Sequence, residues 1–262
     1  MKRSVIAVLF SLVSLLTVVS CSKMESIFTN GEPVTEYRDV EAFHCISMYN
    51  NVNVKLVQSN RPRLELTCPE NLIERVTTEI EGDTLVIKNE NEYNWLRSYD
   101  YSIDLTVYYD SLRQINYASI GDLTSVDSIH GIGELSIDST DLGVDTTIVQ
   151  TFHLQINEGC GNIDLPFTCG VVKCFFGNGT SEVTLRGVSA YTEIIMRSYG
   201  VVHAENLCST YVRVQSQSTN DAYVWARVGL RAWIYSIGNV YYKGNPWIYQ
   251  QCEGDGQVIK LQ

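Results

Sequence analysis

Four histidines, His44, His130, His153 and His203, are scattered along the chain without metal-ligand spacing. With no Cys-x-x-Cys and no His-Glu-x-x-His, a zinc site is not expected. A serine hydrolase would need a Gly-x-Ser-x-Gly elbow, and none occurs. Gly177-Asn178-Gly179 resembles the start of a phosphate loop, but similar triplets recur at several turns and no Lys-Ser/Thr follows, so it reads as a turn. The enzymatic alternative is a polysaccharide lyase or glycosidase, which needs two acids placed about 5 to 9 Å apart across a bond. Asp138, Asp141 and Asp145, near Asn157, Glu158 and Asp164, are the acids that could supply such a pair. Solvated turn carboxylates explain the same residues without catalysis. Calcium at these turns would lack the EF-hand spacing, so no metal and no cofactor is expected. Asp followed by Ser or Thr, as at Asp83-Thr84, Asp110-Ser111, Asp127-Ser128, Asp138-Ser139 and Asp145-Thr146, resembles a periplasmic O-glycosylation acceptor.

Aromatic residues crowd the C-terminal part: Tyr223, Trp225, Trp233, Tyr235, Tyr241, Trp247 and Tyr249. Trp and Tyr present a broad apolar face with a polar edge, which suits sugar rings and protein interfaces. Their value depends on which elements hold them and which way they point.

Those elements read as short strands. Runs such as Val52, Val54, Leu56 and Ile103, Leu105, Val107 alternate with period two between Asn, Gly and Asp, the mark of half-buried strands. Only Pro69 to Ile80, with Leu72, Val76 and Ile80 four apart, offers a helical turn, and Glu90 to Asp100 reads as a long loop.

The second half repeats. Leu123, Leu142, Ile163, Val183, Val202, Ala222, Val240 and Val258 open equivalent strands at spacings of 19, 21, 20, 19, 20, 18 and 18 residues. The preceding strand keeps step at Leu135, Leu154, Cys174, Ile194, Val212, Ala232 and Ile248, and two residues on at Ile137, Ile156, Phe176, Met196, Val214, Ile234 and Gln250. A period near 20 residues, with strands and turns but no helix, predicts a β-solenoid whose inward residues stack at about the 4.8 Å strand spacing. Gly159-Cys160-Gly161, Ser236-Ile237-Gly238 and Gly254-Asp255-Gly256 fall at the corners, where glycine permits positive φ. Gln250 and Lys260 fit a polar last coil. Beside the inward positions, Gln155, Phe175, Ile195, Arg213, Trp233 and Tyr249 form an outward row. With Tyr223, Trp225, Tyr235, Tyr241 and Trp247, these residues predict either an exposed apolar patch or a stripe covered by another segment.

The N-terminus reads as a leader. Lys2 and Arg3 precede an apolar run from Val5 to Val19, so residues 1–20 are expected to be a signal peptide. Val18-Val19-Ser20-Cys21 resembles a lipobox, which predicts acylation of Cys21 and attachment to the membrane through lipid; an ordinary signal peptide would instead leave a soluble secreted protein. Residues 21–36 read as a tether and 37–262 as the repeat domain. Of 19 basic and 30 acidic residues, the leader holds only Lys2 and Arg3, so the mature chain is more acidic than the formal charge of −11 and nucleic acid is not an expected partner. Cys45, Cys68, Cys160, Cys169, Cys174, Cys208 and Cys252 do not form a disulfide framework by spacing; Cys45 with Cys68 is the one pair worth considering.

Units of the form apolar-x-apolar-x-Ser/Gly-x-Gly, together with the ending Ile234-Tyr235-Ser236-Ile237-Gly238-Asn239-Val240-Tyr241-Tyr242-Lys243-Gly244-Asn245-Pro246, resemble the putative auto-transporter adhesin, head GIN domain family. The resemblance spans Val40 to Gln262 and includes Phe43 to Val57, Gly82 to Ile87 and Leu112 to Ile115. It departs at Gln215 to Asp221, where Gly-Ser-Gly triplets are lost. The family occurs mainly in Bacteroidetes-type bacteria. The resemblance implies an all-β, single-stranded right-handed parallel β-helix with about 20 residues per coil and no assigned enzyme activity. The joint expectation is a non-catalytic outer-membrane lipoprotein that engages glycan or protein partners, or a second copy of itself, through Tyr223, Trp225, Trp233, Tyr235, Trp247 and Tyr249 with Arg213 at the edge.

Overall fold

The computed structural model describes residues 29–92, 101–135 and 148–262. The leader, Cys21, Trp95, Ile137, Leu142 and the acids Asp138, Asp141 and Asp145 lie outside the described residues. The protein is all-β, about 66% strand, and helix α1 spans only Glu70–Ile73. A strand, β5 (Val76–Glu81), follows α1 directly, so Val76 and Ile80 belong to a period of two rather than of four. β1 (Pro33–Asp39) begins ahead of Tyr37, the residue at which the sequence starts the domain.

The C-terminal half is built from long strands that bend around the core. β11 (Ile148–Gly159), β12 (Asn162–Phe176), β13 (Glu182–Met196), β14 (Val201–Ser216) and β15 (Ala222–Ile234) pair in parallel, each with the next. On one side, β9 (Leu123–Ser125), β16 (Val240–Lys243) and β18 (Val258–Lys260) continue the stack, so that Leu123, Ile163, Val183, Val202, Ala222, Val240 and Val258 are paired in register. The period read from the sequence is this column. On the other side β8 (Gln114–Ser119) and β17 (Trp247–Cys252) extend it, through Ile115, Leu154, Cys174, Ile194, Val214, Ala232 and Gln250.

Two expected placements are corrected. Val214, not Val212, faces Ile194, and Gln250, not Ile248, faces Ala232. A slip of two residues keeps every side chain on the same face, so hydrophobic alternation cannot detect it. The coils also differ in length: β14 carries one extra residue against β13 between His203 and Asn206, and its register with β15 shifts between Ala204 and Cys208 and again between Ser209 and Tyr211. Leu135 is not a rung of the second ladder, where Leu154 pairs with Ile115 instead. Leu123 pairs directly with Ile163, and β10 (Ile132–Leu135) runs antiparallel to the start of β11.

The sheet is therefore mixed, most clearly at the N-terminal end. β2 (Cys45–Asn50) and β3 (Asn53–Gln58) lie parallel between β8 and β9 on one side and β6 (Thr84–Asn89) and β7 (Asp104–Tyr109) on the other. Beyond these, β5 pairs antiparallel with β6, and β4 (Arg63–Pro69) pairs antiparallel with both β7 and β1. Hairpins reverse the chain here because Gly82 at φ +64° turns β5 into β6.

Met48, Tyr117, Phe152, Phe176 and Met196 fill the interior and are fully buried. Cys45, Cys68, Cys169 and Cys174 are buried and free, so no bond joins Cys45 to Cys68. The corner glycines serve two purposes. Gly159 and Gly179 take positive φ, as expected. Gly238 does not, and is glycine because a Cβ there would sit 2.1 Å from the Asn220 carbonyl oxygen of the coil beneath.

Candidate binding face

The outward side chains of the β11 to β17 ladder form three columns set by the register. Tyr191, Tyr211, Gly229 and Trp247 make one; Glu193, Arg213, Arg231 and Tyr249 the second; Ile195, Gln215, Trp233 and Gln251 the third. Arg213 and Trp233 therefore belong to neighbouring columns, not to the single row the sequence suggests. They still touch, on the diagonal: the Arg213 guanidinium lies 5.0 Å from the Trp233 ring centroid. Glu193 holds that guanidinium from the other side at 3.4 Å. Trp233 meets Tyr249 at 5.7 Å with the rings tilted by 54°.

A second guanidinium–indole contact runs alongside. Arg231 stands 5.7 Å over Trp247, and Tyr211 meets the same indole at 6.5 Å. Gly229 makes this possible, since a Cβ at that position would lie 2.5 Å from Trp247 Cζ2 and 2.9 Å from Tyr211 Cδ1. A glycine inside a strand signals close approach of another group, and this was the one available cue in the sequence to the seat of Trp247. The cleft between these rings measures about 20 Å³, room for one water and no ligand. The face is thus a platform of ring faces and cations rather than a pocket.

Trp233 is half-buried, while Trp247 and Tyr249 are 49% and 50% exposed. β1 pairs with β4 at the opposite end of the ladders and does not cover them. Tyr235 is exposed at the corner beyond β15. Tyr223 and Trp225 do not join this group. They lie on the first part of β15, whose partners are β14 and β16. There His203, Tyr223 and Tyr241 stack in one column at 5.0 Å centroid spacings, their planes nearly parallel, with Glu182 and Glu205 each 3.5 Å from a His203 ring nitrogen. The predicted cluster is therefore two clusters on two ladders.

Of the acids considered for glycoside chemistry, Asp164 is held by Arg186, whose Nε and Nη2 donate to its two oxygens at 2.8 and 3.3 Å. Among the described residues no group of three or more His, Cys, Asp or Glu side chains is arranged to hold a metal ion. No helix among them is long and apolar enough to cross a membrane.

Three solved structures share the architecture. A putative adhesin from Bacteroides fragilis superposes with a TM-score of 0.74 at 18% identity, over 89% of this chain and 99% of that one. A putative adhesin from Parabacteroides merdae gives 0.63 at 18% identity, over 89% and 98%. A Parabacteroides distasonis protein described as a putative lipid binding protein gives 0.62 at 21% identity, over the same shares. No curated protein matches the sequence. The family model for the putative auto-transporter adhesin, head GIN domain matches residues 42–246, most of the ladder-forming chain, and the protein belongs to that family.

Proposed function

We propose that this protein is a non-catalytic binding module of the bacterial outer envelope, held by a lipid on Cys21, that engages an extended glycan or protein partner through Trp233, Trp247 and Tyr249 with Arg213 and Arg231. Its coils would close as a right-handed parallel β-helix, a reading supported by in-register parallel pairing of segments about 20 residues apart. The observation that carries the function is the pair of guanidinium–indole contacts, Arg213 on Trp233 and Arg231 on Trp247, on a half-exposed flat surface. Neighbouring strands set such groups at about 4.8 Å, a spacing that suits a flat, elongated partner. Exposed aromatic faces backed by cations are also where binding energy concentrates.

A lipid ligand has less support, because Met48, Tyr117, Phe176 and Met196 already fill the interior. Glycoside cleavage has less support too, with Asp164 neutralised by Arg186. The test is retention of polysaccharides and of envelope proteins on the immobilised chain. Wild type should retain a partner without shortening it, and Trp233→Ala with Trp247→Ala should lose retention while keeping the fold. Depolymerisation of any glycan, or retention unchanged in the double variant, would sink the proposal. For the anchor, Cys21→Ala should move the protein from the membrane to the soluble fraction, and continued tight membrane association would refute the lipid.

A further inference from the structure

The two ends of the ladders are finished differently. At the N-terminal end the outermost strands, β1 and β5, carry Pro33, Glu36, Arg38 and Asp39 on the first and Glu79 and Glu81 on the second. Arg38 also donates to the Val76 carbonyl at 2.6 Å and to Thr78 Oγ1 at 3.0 Å, tying the first to the second. Charges and proline on an edge are the usual means of preventing another strand from adding to it.

At the C-terminal end such protection is limited to Lys260 on β18, and β17 has none. β17 pairs only with β15, and β18 only with β16, among the described residues. β17 reads Trp-Ile-Tyr-Gln-Gln-Cys, without a charge or a proline, and all six residues are exposed. Ile248 stands over Leu230, which is fully buried, yet is itself 40% exposed. It occupies a core position with nothing stacked beyond it. A row of unpaired backbone groups beside an exposed core position is a template for a further strand.

We infer that two copies of this chain pair tail to tail through β17 and β18. The occupant is a second copy for two reasons. The uncharged β17 edge presents no like-charge clash to itself, whereas head-to-tail stacking would press it onto the charged N-terminal edge. A two-fold pairing of the same surface closes at two copies and uses up both bare edges, so it does not lead on to a fibre.

The experiment is sedimentation equilibrium on the chain from Thr29 onward, which contains every described strand, joined with hydrogen exchange at low and high protein concentration. Wild type should be dimeric, with protection of the Trp247 to Cys252 amides that rises with concentration. Ile248→Lys with Gln250→Lys should weaken dimerisation by about 10-fold or more. Val188→Lys, at an exposed site on β13, should leave it unchanged. A wild type that is monomeric up to about 100 µM, far above a biologically useful affinity, would overturn the inference. So would a dimer indifferent to the β17 substitutions, or β17 protection that is independent of concentration, which would mean that a segment of the same chain covers the edge. Should the lysine variant fail to fold, the exchange measurement on wild type still decides.

Discussion

Gly229→Ala separates the seat of Trp247 from the fold that carries it. The backbone at Gly229 is not in the positive-φ region, so alanine is sterically permitted there and gains about 0.5–1 kcal/mol from reduced chain entropy. Its Cβ, however, would fall 2.5 and 2.6 Å from Trp247 Cζ2 and Cε2, well inside contact distance. The indole, 49% exposed, is the partner that can move. A fully buried Trp covers about 200 Å², so the covered half is roughly 100 Å², worth about 2.5 kcal/mol at ~25 cal/mol/Å². Displacing the ring completely therefore leaves a net loss of about 1.5–2 kcal/mol after the backbone gain. Urea denaturation measures the loss, and a red shift of tryptophan emission reports the freed indole. The decisive control is the same substitution in a Trp247→Ala background, where the indole clash is gone and only the 2.9 Å approach to Tyr211 Cδ1 remains, so the loss should be clearly smaller. An equal loss in both backgrounds would show that Gly229 is required for another reason, and the account of the platform would fail.

How much of this was legible depends on which periodicity carried the information. The column from Leu123 through Ile163 to Val258 could be read because each coil opens on one apolar residue after a glycine or polar corner. The opposite column could not be fixed in β14. Ser216, not an aliphatic residue, takes the position opposite Met196, and Val212 faces the buried Thr192. Thr192 is tolerated in the core because its hydroxyl joins those of Ser189 and Ser209, a network that no hydrophobicity pattern records. The antiparallel strands at the N-terminal end were hidden for another reason. Alternation shows that a strand is half-buried, but pairing direction depends on partners far away in sequence. Likewise the aromatic residues were visible, but their division between two ladders followed from the bend within β15, which separates Tyr223 and Trp225 from Trp233.

The remaining predictions concern the core. Ile194→Asp should cost several kcal/mol, about 3–5, by leaving an unpaired charge between Cys174 and Val214. Glu193→Ala should cost about 1 kcal/mol, not nothing, because its mostly covered carboxylate partners Arg213; equal melts for the two variants would refute the register. In a thiol-reactivity assay near neutral pH, Cys160 and Cys252 should react at once and Cys68, Cys169 and Cys174 only on unfolding. The same burial sets an alkaline limit on stability. It pushes the Cys174 thiol up to about 12 from 9.0, and the Tyr109 and Tyr117 phenols up to about 12 from 10.0. Each group stays protonated in the fold while the unfolded chain ionises first. Stability is therefore fully present below about pH 9, falls as the unfolded thiol and then the phenols lose protons, and is lost as pH climbs toward 12. Urea midpoints should be flat up to about pH 9 and decline above it, and Cys174→Ala should flatten the first part of the decline. Phenolate absorbance should rise for the exposed tyrosines first, and the last increment should coincide with loss of the far-ultraviolet β signal. Complete phenolate formation in a chain still folded would show that Tyr109 and Tyr117 are not sealed, and the packed interior inferred from them would be wrong.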